Sequence, residues 1–172
     1  MKMTRRSLLA LVTGAIASGA LARPSFAADS VVNVSLWDKG DHSMDMLENG
    51  EIKGIGMGMT GGNITMATMG ITASPQKVPA GVVTFEVVNK SKNIFHNMVV
   101  SPVPADGKPL PYSKDEEKVD EEAARHLGEV SELEPGQKGV LTLNLKPGKY
   151  ILYCNVAGHY VLGMWTLLDV TG

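Results

Sequence analysis

Residues 150–170 read "YILYCNVAGHYVLGMWTLLDV", two apolar runs held apart by a loop that collects a thiol, an imidazole and a thioether. "YILYC" (150–154) and "MWTLLDV" (164–170) have the length and the aromatic and aliphatic content of strands, and Gly158 and Gly163 mark the connection between them. Cys154 therefore closes one strand and Met164 opens the next, with His159 midway along the loop. Working outward, "VVNVSLW" (31–37), "VVTFEVVN" (82–89), "FHNMVVS" (95–101) and "GVLTLNL" (139–145) read as further strands. Val83, Phe85 and Val87 share one face, as do Leu141, Leu143 and Leu145, so both of those strands are expected to be half buried. Turn residues fall between the runs, at "KSKN" (90–93), "EPGQ" (134–137) and "KPGK" (146–149). The expected fold is all-β, an antiparallel sandwich.

One helix is expected to interrupt it. Ser113 and Glu116 form a capping box ahead of "DEEKVDEEAARHLG" (115–128), Val119, Ala123 and Leu127 recur at helical spacing, and Gly128 supplies a stop. The opposite face carries Asp115, Glu117, Asp120, Glu121 and Glu122, which is either a docking patch or a solvated face. Residues 38–75 are rich in glycine and methionine. Within them "NITMATMGI" (63–71) reads as a strand and "GIGMGMTGG" (54–62) as a loop or a glycine-weakened strand.

The N-terminus, "MKMTRRSLLALVTGAIASGALARPSFA", has the basic, apolar and small-residue regions of an export signal ending at Ala27, with an uncleaved anchor as the alternative. Thr4 to Leu9 resembles a twin-arginine signal, which implies a periplasmic or otherwise exported protein. Cleavage leaves residues 28–172 as one domain, its 28–75 part the harder to read, with no stable membrane insertion expected. The signal holds Lys2, Arg5, Arg6 and Arg23 and no acidic residue, so 12 of the 16 Lys and Arg remain against 18 Asp and Glu, a net of −6. That balance argues against nucleic acid as a partner. Cys154 is the only cysteine, which excludes a disulfide within the chain and leaves intermolecular pairing, an inert buried thiol or a metal ligand.

Cys154, His159 and Met164 on one short loop can converge on a point, and that donor set suits a soft metal, copper above all. Zinc would take the cysteine and histidine but rarely uses methionine. A type 1 copper site needs a second imidazole, and His96, at the start of a distant strand, meets the need. Taken singly, each residue has a bland alternative as core filler or loop polar group. Jointly, an upstream histidine in an "HN" context followed by Cys-x4-His-x4-Met between the last two strands resembles the cupredoxin family, with a loop spacing most similar to its rusticyanin-, auracyanin- and sulfocyanin-like members. The resemblance covers residues 76–172 and implies a Greek-key β-sandwich, one type 1 copper ion and His96, Cys154, His159 and Met164 as its ligands. It also places Asn97 where the family often hydrogen-bonds near the thiolate loop.

Such a site implies a monomeric, non-enzymatic carrier of single electrons between redox partner proteins such as a cytochrome or oxidoreductase. The apolar residues beside His159, Val161 and Leu162 among them, are expected to form the docking patch, or else simply to cap the core. The alternative is copper binding or delivery by the methionine-rich segment, through His42, Met44, Met46, Met57 and Met59. His126 is expected to be exposed.

Overall fold

The computed structural model describes residues 29–45, 54–59 and 63–172; the export signal expected over residues 1–27 and Met46 lie outside the described residues. Strand patterning produces two packed sheets. The first has the order β2-β1-β4-β9, built from β1 (Ser30–Asp38), β2 (Met69–Ser74), β4 (Gly81–Asn89) and β9 (Lys138–Leu145). The second has the order β3-β11-β10-β5-β8, from β3 (Lys77–Pro79), β5 (His96–Pro102), β8 (Gly128–Leu133), β10 (Gly148–Tyr153) and β11 (Trp165–Thr171). A two-stranded ribbon, β6 (Tyr112–Ser113) with β7 (Lys118–Val119), sits outside both.

The sheets are mixed rather than purely antiparallel. β1 runs parallel to β4, and β3 parallel to β11. A long connection from β1 through the methionine-rich segment, β2 and β3 brings the chain back in the same direction, as a parallel pair requires. The "NITMATMGI" stretch divides: Ile64–Met66 is a single 3-10 turn, capped by Asn63, and the strand begins only at Met69.

Between the sheets lie Val32, Val34 and Leu36 of β1, Val83, Phe85 and Val87 of β4, Met98 and Val100 of β5, and Leu152 and Leu168 of β10 and β11. Leu145 is buried there, and Leu141 and Leu143 pack against its edge, so the alternation expected for both strands is observed. A second apolar cluster covers the outer face of the second sheet. Val99, Ile151 and Tyr153 point into it and meet Met57, Leu110, Val119, Ala124, Tyr160 and Val161.

The expected helix does not form. Ser113 Oγ still accepts from the Glu116 N–H at 3.3 Å, but Glu117 turns left-handed (φ 54°) and the chain reverses into β7. One helical turn follows, in which Ala124 N–H donates to the Asp120 carbonyl at 2.8 Å and Asp120 Oδ1 caps Ala123 N–H at 3.0 Å; Arg125 ends it at φ 56°. Ala123 and Leu127, expected on the packed side, are exposed, while Val119 and Ala124 are buried. A tertiary competitor displaces the helix. Asn155 accepts from Val119 N–H at 2.7 Å and donates to the Val119 carbonyl at 3.0 Å, and the Glu117 carbonyl accepts from Gly158 N–H at 2.9 Å. Those bonds take backbone groups that a helix would have paired internally.

Candidate metal centre

β10 and β11 pair in register up to Tyr153 and Trp165. One residue further on, Cys154 N–H donates to the Met164 carbonyl at 3.0 Å, so the ladder brings cysteine and methionine side by side at the mouth of the loop. The loop then closes on itself through His159 N–H to the Val156 carbonyl (3.0 Å) and Met164 N–H to the His159 carbonyl (3.1 Å). These bonds turn His159 back over the strand ends, where β5 delivers His96. His96, Cys154 and His159 place one ligand atom each within 4.8 Å of one another, and at 0, 0 and 3 % exposure all three are shut off from water.

His96 Nδ1 lies 3.2 Å from His159 Nδ1, which lies 3.4 Å from Cys154 Sγ. Burial holds His96 below its ordinary pKa, and burial followed by the neighbouring His96 lowers His159 to about 3. Burial pushes the Cys154 thiol up to about 12. Without a cation all three groups are neutral at pH 7 and share few protons; a cation among them would take a lone pair from each and displace the thiol proton. Two imidazoles and a thiol fit a soft or borderline metal ion, not calcium or magnesium. Met164 is fully buried beside Cys154.

Asn97 plays the part expected of it. Its Oδ1 accepts from Asn155 N–H at 2.7 Å, tying β5 to the loop one residue beyond Cys154. Two features were not expected. Asp38, the last residue of β1, accepts from His96 Nε2 at 3.1 Å, with both side chains at 0–1 % exposure. Its only sequence signal is a carboxylate at the end of a strand with no other charged residue. The other feature is the described part of the glycine- and methionine-rich segment at residues 54–59, which folds over the loop. Ile55 N–H donates to the Val161 carbonyl at 2.8 Å, Trp165 Nε1–H to the Ile55 carbonyl at 2.8 Å, and Tyr160 O–H to the Met57 carbonyl at 3.4 Å. Gly56 allows this approach, because a Cβ there would stand 2.5 Å from the Tyr160 ring.

The expected docking patch is corrected here: Val161 lies under this cover and Leu162 turns into the core between the sheets. Val161 and Leu162 are 6 and 0 % exposed, so they pack inward and present nothing to a partner. The methionines divide similarly: Met57 and Met69 are core residues, Met44 and Met59 are partly buried, and Met66 is exposed. His42 is exposed and its Nδ1 pairs with Asp45 at 2.8 Å; His126 is exposed, as expected.

Neither a protein-family model nor a curated protein matches the sequence. Solved structures do. Rusticyanin from Thiobacillus ferrooxidans superposes with a TM-score of 0.50 at 14 % identity, over 82 % of this chain and 76 % of that one. The chain has the cupredoxin fold. Auracyanin from the photosynthetic bacterium Roseiflexus castenholzii is 22 % identical over 59 % of this chain and 88 % of its own, with a TM-score of 0.43. Within this cupredoxin sandwich the donor cluster occupies one end, built by β5 and the β10–β11 loop of the second sheet. Among the described residues no helix is long and apolar enough to cross a membrane.

Proposed function

We propose that the chain is an exported type 1 copper protein that carries single electrons, with His96, Cys154, His159 and Met164 holding one copper ion. The observation that carries this reading is the convergence of two imidazoles and one thiol in a dry pocket beside a buried methionine. Rusticyanin itself is described as a copper protein. A copper ion bound there would supply a one-electron couple, Cu(II)/Cu(I), tuned by the thiolate and the weak thioether.

The chain's own residues favour transfer over catalysis. His96 and His159 are fixed from two different parts of the sandwich, so the donors change place little between oxidation states. The three converging side chains are shut off from water, and with Met164 as a fourth ligand no position would be left for a substrate. Electrons would then leave through protein, to a redox partner such as a cytochrome, in the compartment that the export signal implies. The delivery alternative gains nothing from Met57 and Met69, whose side chains are committed to the two apolar clusters.

The test is to load the metal-free protein with Cu(II) and record the visible spectrum and the copper content. One copper per chain with an intense thiolate charge-transfer band is expected. Colourless binding, or several weakly held ions per chain, would overturn the carrier reading in favour of storage or delivery.

A further inference from the structure

Asp38 belongs to the first sheet, yet its carboxylate reaches across to a ligand of the second. Oδ1 accepts from Gly40 N–H at 2.7 Å and Oδ2 accepts from His96 Nε2–H at 3.1 Å, with the Ser91 side chain near the same group. Gly40 makes the turn possible at φ 98°. Ser91 is itself held, its Oγ accepting from the backbone N–H groups of Asn93 and Ile94. Asn93 in turn bonds Asp41, so the residues after β1 are fastened to those before β5. Every contact of this carboxylate is a donor, and among the described residues its only ion-pair partner is His96.

We propose that Asp38 is a positioning residue for the metal centre: it fixes His96 as the Nε2–H tautomer, with Nδ1 free to ligate, and its charge biases the site toward Cu(II). The second part rests on the copper reading above. A carboxylate only accepts, so an imidazole bonded to it through Nε2 must carry its proton there and turn a lone pair on Nδ1 toward His159 and Cys154. The charge argument is a count. Divalent copper with one thiolate leaves a single positive charge, which Asp38 cancels through the imidazole. The monovalent ion would leave the same residues with a net negative charge in a dry site, which is the costlier state.

Two substitutions separate the parts. Asp38→Asn keeps an oxygen to accept from His96 and removes the charge; Asp38→Ala removes both. Nitrogen-15 NMR of the metal-free protein reads the His96 tautomer, zinc titration reads affinity without redox chemistry, and voltammetry of the copper-loaded protein reads the potential. Asp38→Asn is expected to keep the tautomer and the visible band while shifting the Cu(I)/Cu(II) affinity ratio about tenfold toward Cu(I), a rise of about 59 mV. Asp38→Ala is expected to mix the tautomers and weaken zinc binding about tenfold or more. An unchanged potential in Asp38→Asn overturns the charge bias. An unmixed tautomer in Asp38→Ala overturns the positioning role; should that variant not fold, Asp38→Ser replaces it in the same measurement. A wild-type protein without the charge-transfer band would defeat the copper reading alone, because the tautomer and zinc measurements still decide whether Asp38 positions His96.

Discussion

The first sheet has one dry face, whereas the second is dry on both faces at its central strands, β5 and β10. On the first, Val31, Val82 and Val140 stand out in solvent, and Thr84 and Thr142 bond each other across an exposed surface. On the second, the segment from Leu110 to Ala124 and the Ile55 to Met59 strap cover the outer face, so β10 is buried along Tyr150 to Tyr153 without alternation. His96, Cys154 and His159, the three converging side chains, come from these doubly covered strands and the loop that follows β10. The difference shows why the site is there: a strand buried on both faces can hold a thiol out of water and fix its direction, which a half-solvated strand cannot do as firmly.

The contrast is broken most directly at the thiol. Cys154→Ser is expected to abolish the intense visible band of the copper-loaded protein, since the Cu(II)–thiolate bond is its source, and retention of full colour would remove Cys154 from the site. Next in size is the outer layer itself. Tyr153→Ala or Tyr160→Ala is expected to cost about 3–5 kcal/mol in urea unfolding, against about 0.5 kcal/mol or less for Val140→Ala on the open face of the first sheet. Equal costs would mean that the outer cluster is surface dressing and not a second core.

Acid sharpens the comparison. His159 falls from the ordinary 6.5 to about 3 in the folded metal-free protein, because burial and then His96 disfavour its charged form. The unfolded chain therefore binds the proton first, and stability is full above pH 6.5 and is lost as the pH falls from 6.5 toward 3. The loss is on the order of 1 kcal/mol per pH unit, read as the drop in unfolding free energy of the metal-free protein between about pH 7 and pH 5. His159→Phe is expected to flatten that profile; an unchanged slope would assign it to other groups. The smallest effect concerns the axis: Met164→Gln is expected to lower the potential, by about 59 mV for each tenfold gain of Cu(II) over Cu(I) affinity, with the copper retained. An unchanged potential would make Met164 packing only.

Much of this was legible in advance where chemistry and spacing are local. The alternation of Val83, Phe85 and Val87 marked a half-buried strand, and Cys154, His159 and Met164 lie on one loop whose strands were readable on either side. Asn97 was found through its place beside His96. The segment 113–128 misled because its capping box and apolar spacing are real local signals, yet Asn155 offers Val119 a better backbone partner than a helix would. The docking patch misled for a related reason: Val161 and Leu162 are apolar on a loop, and only the folded chain makes them core, Val161 under the strap from Ile55 to Met59 and Leu162 in the cluster between the sheets.

What the sequence by itself determined is the strand order of apolar runs and the donor set at its spacing, because both depend on residues a few positions apart. Only the tertiary structure decided that Asp38 reaches His96 across 58 residues of chain, that Met57 packs on Tyr160, and that the acidic segment spends its backbone bonds on the ligand loop. Those choices are settled by competition among partners distant in sequence, and a hydrogen bond goes to whichever donor or acceptor the closed sandwich brings within reach.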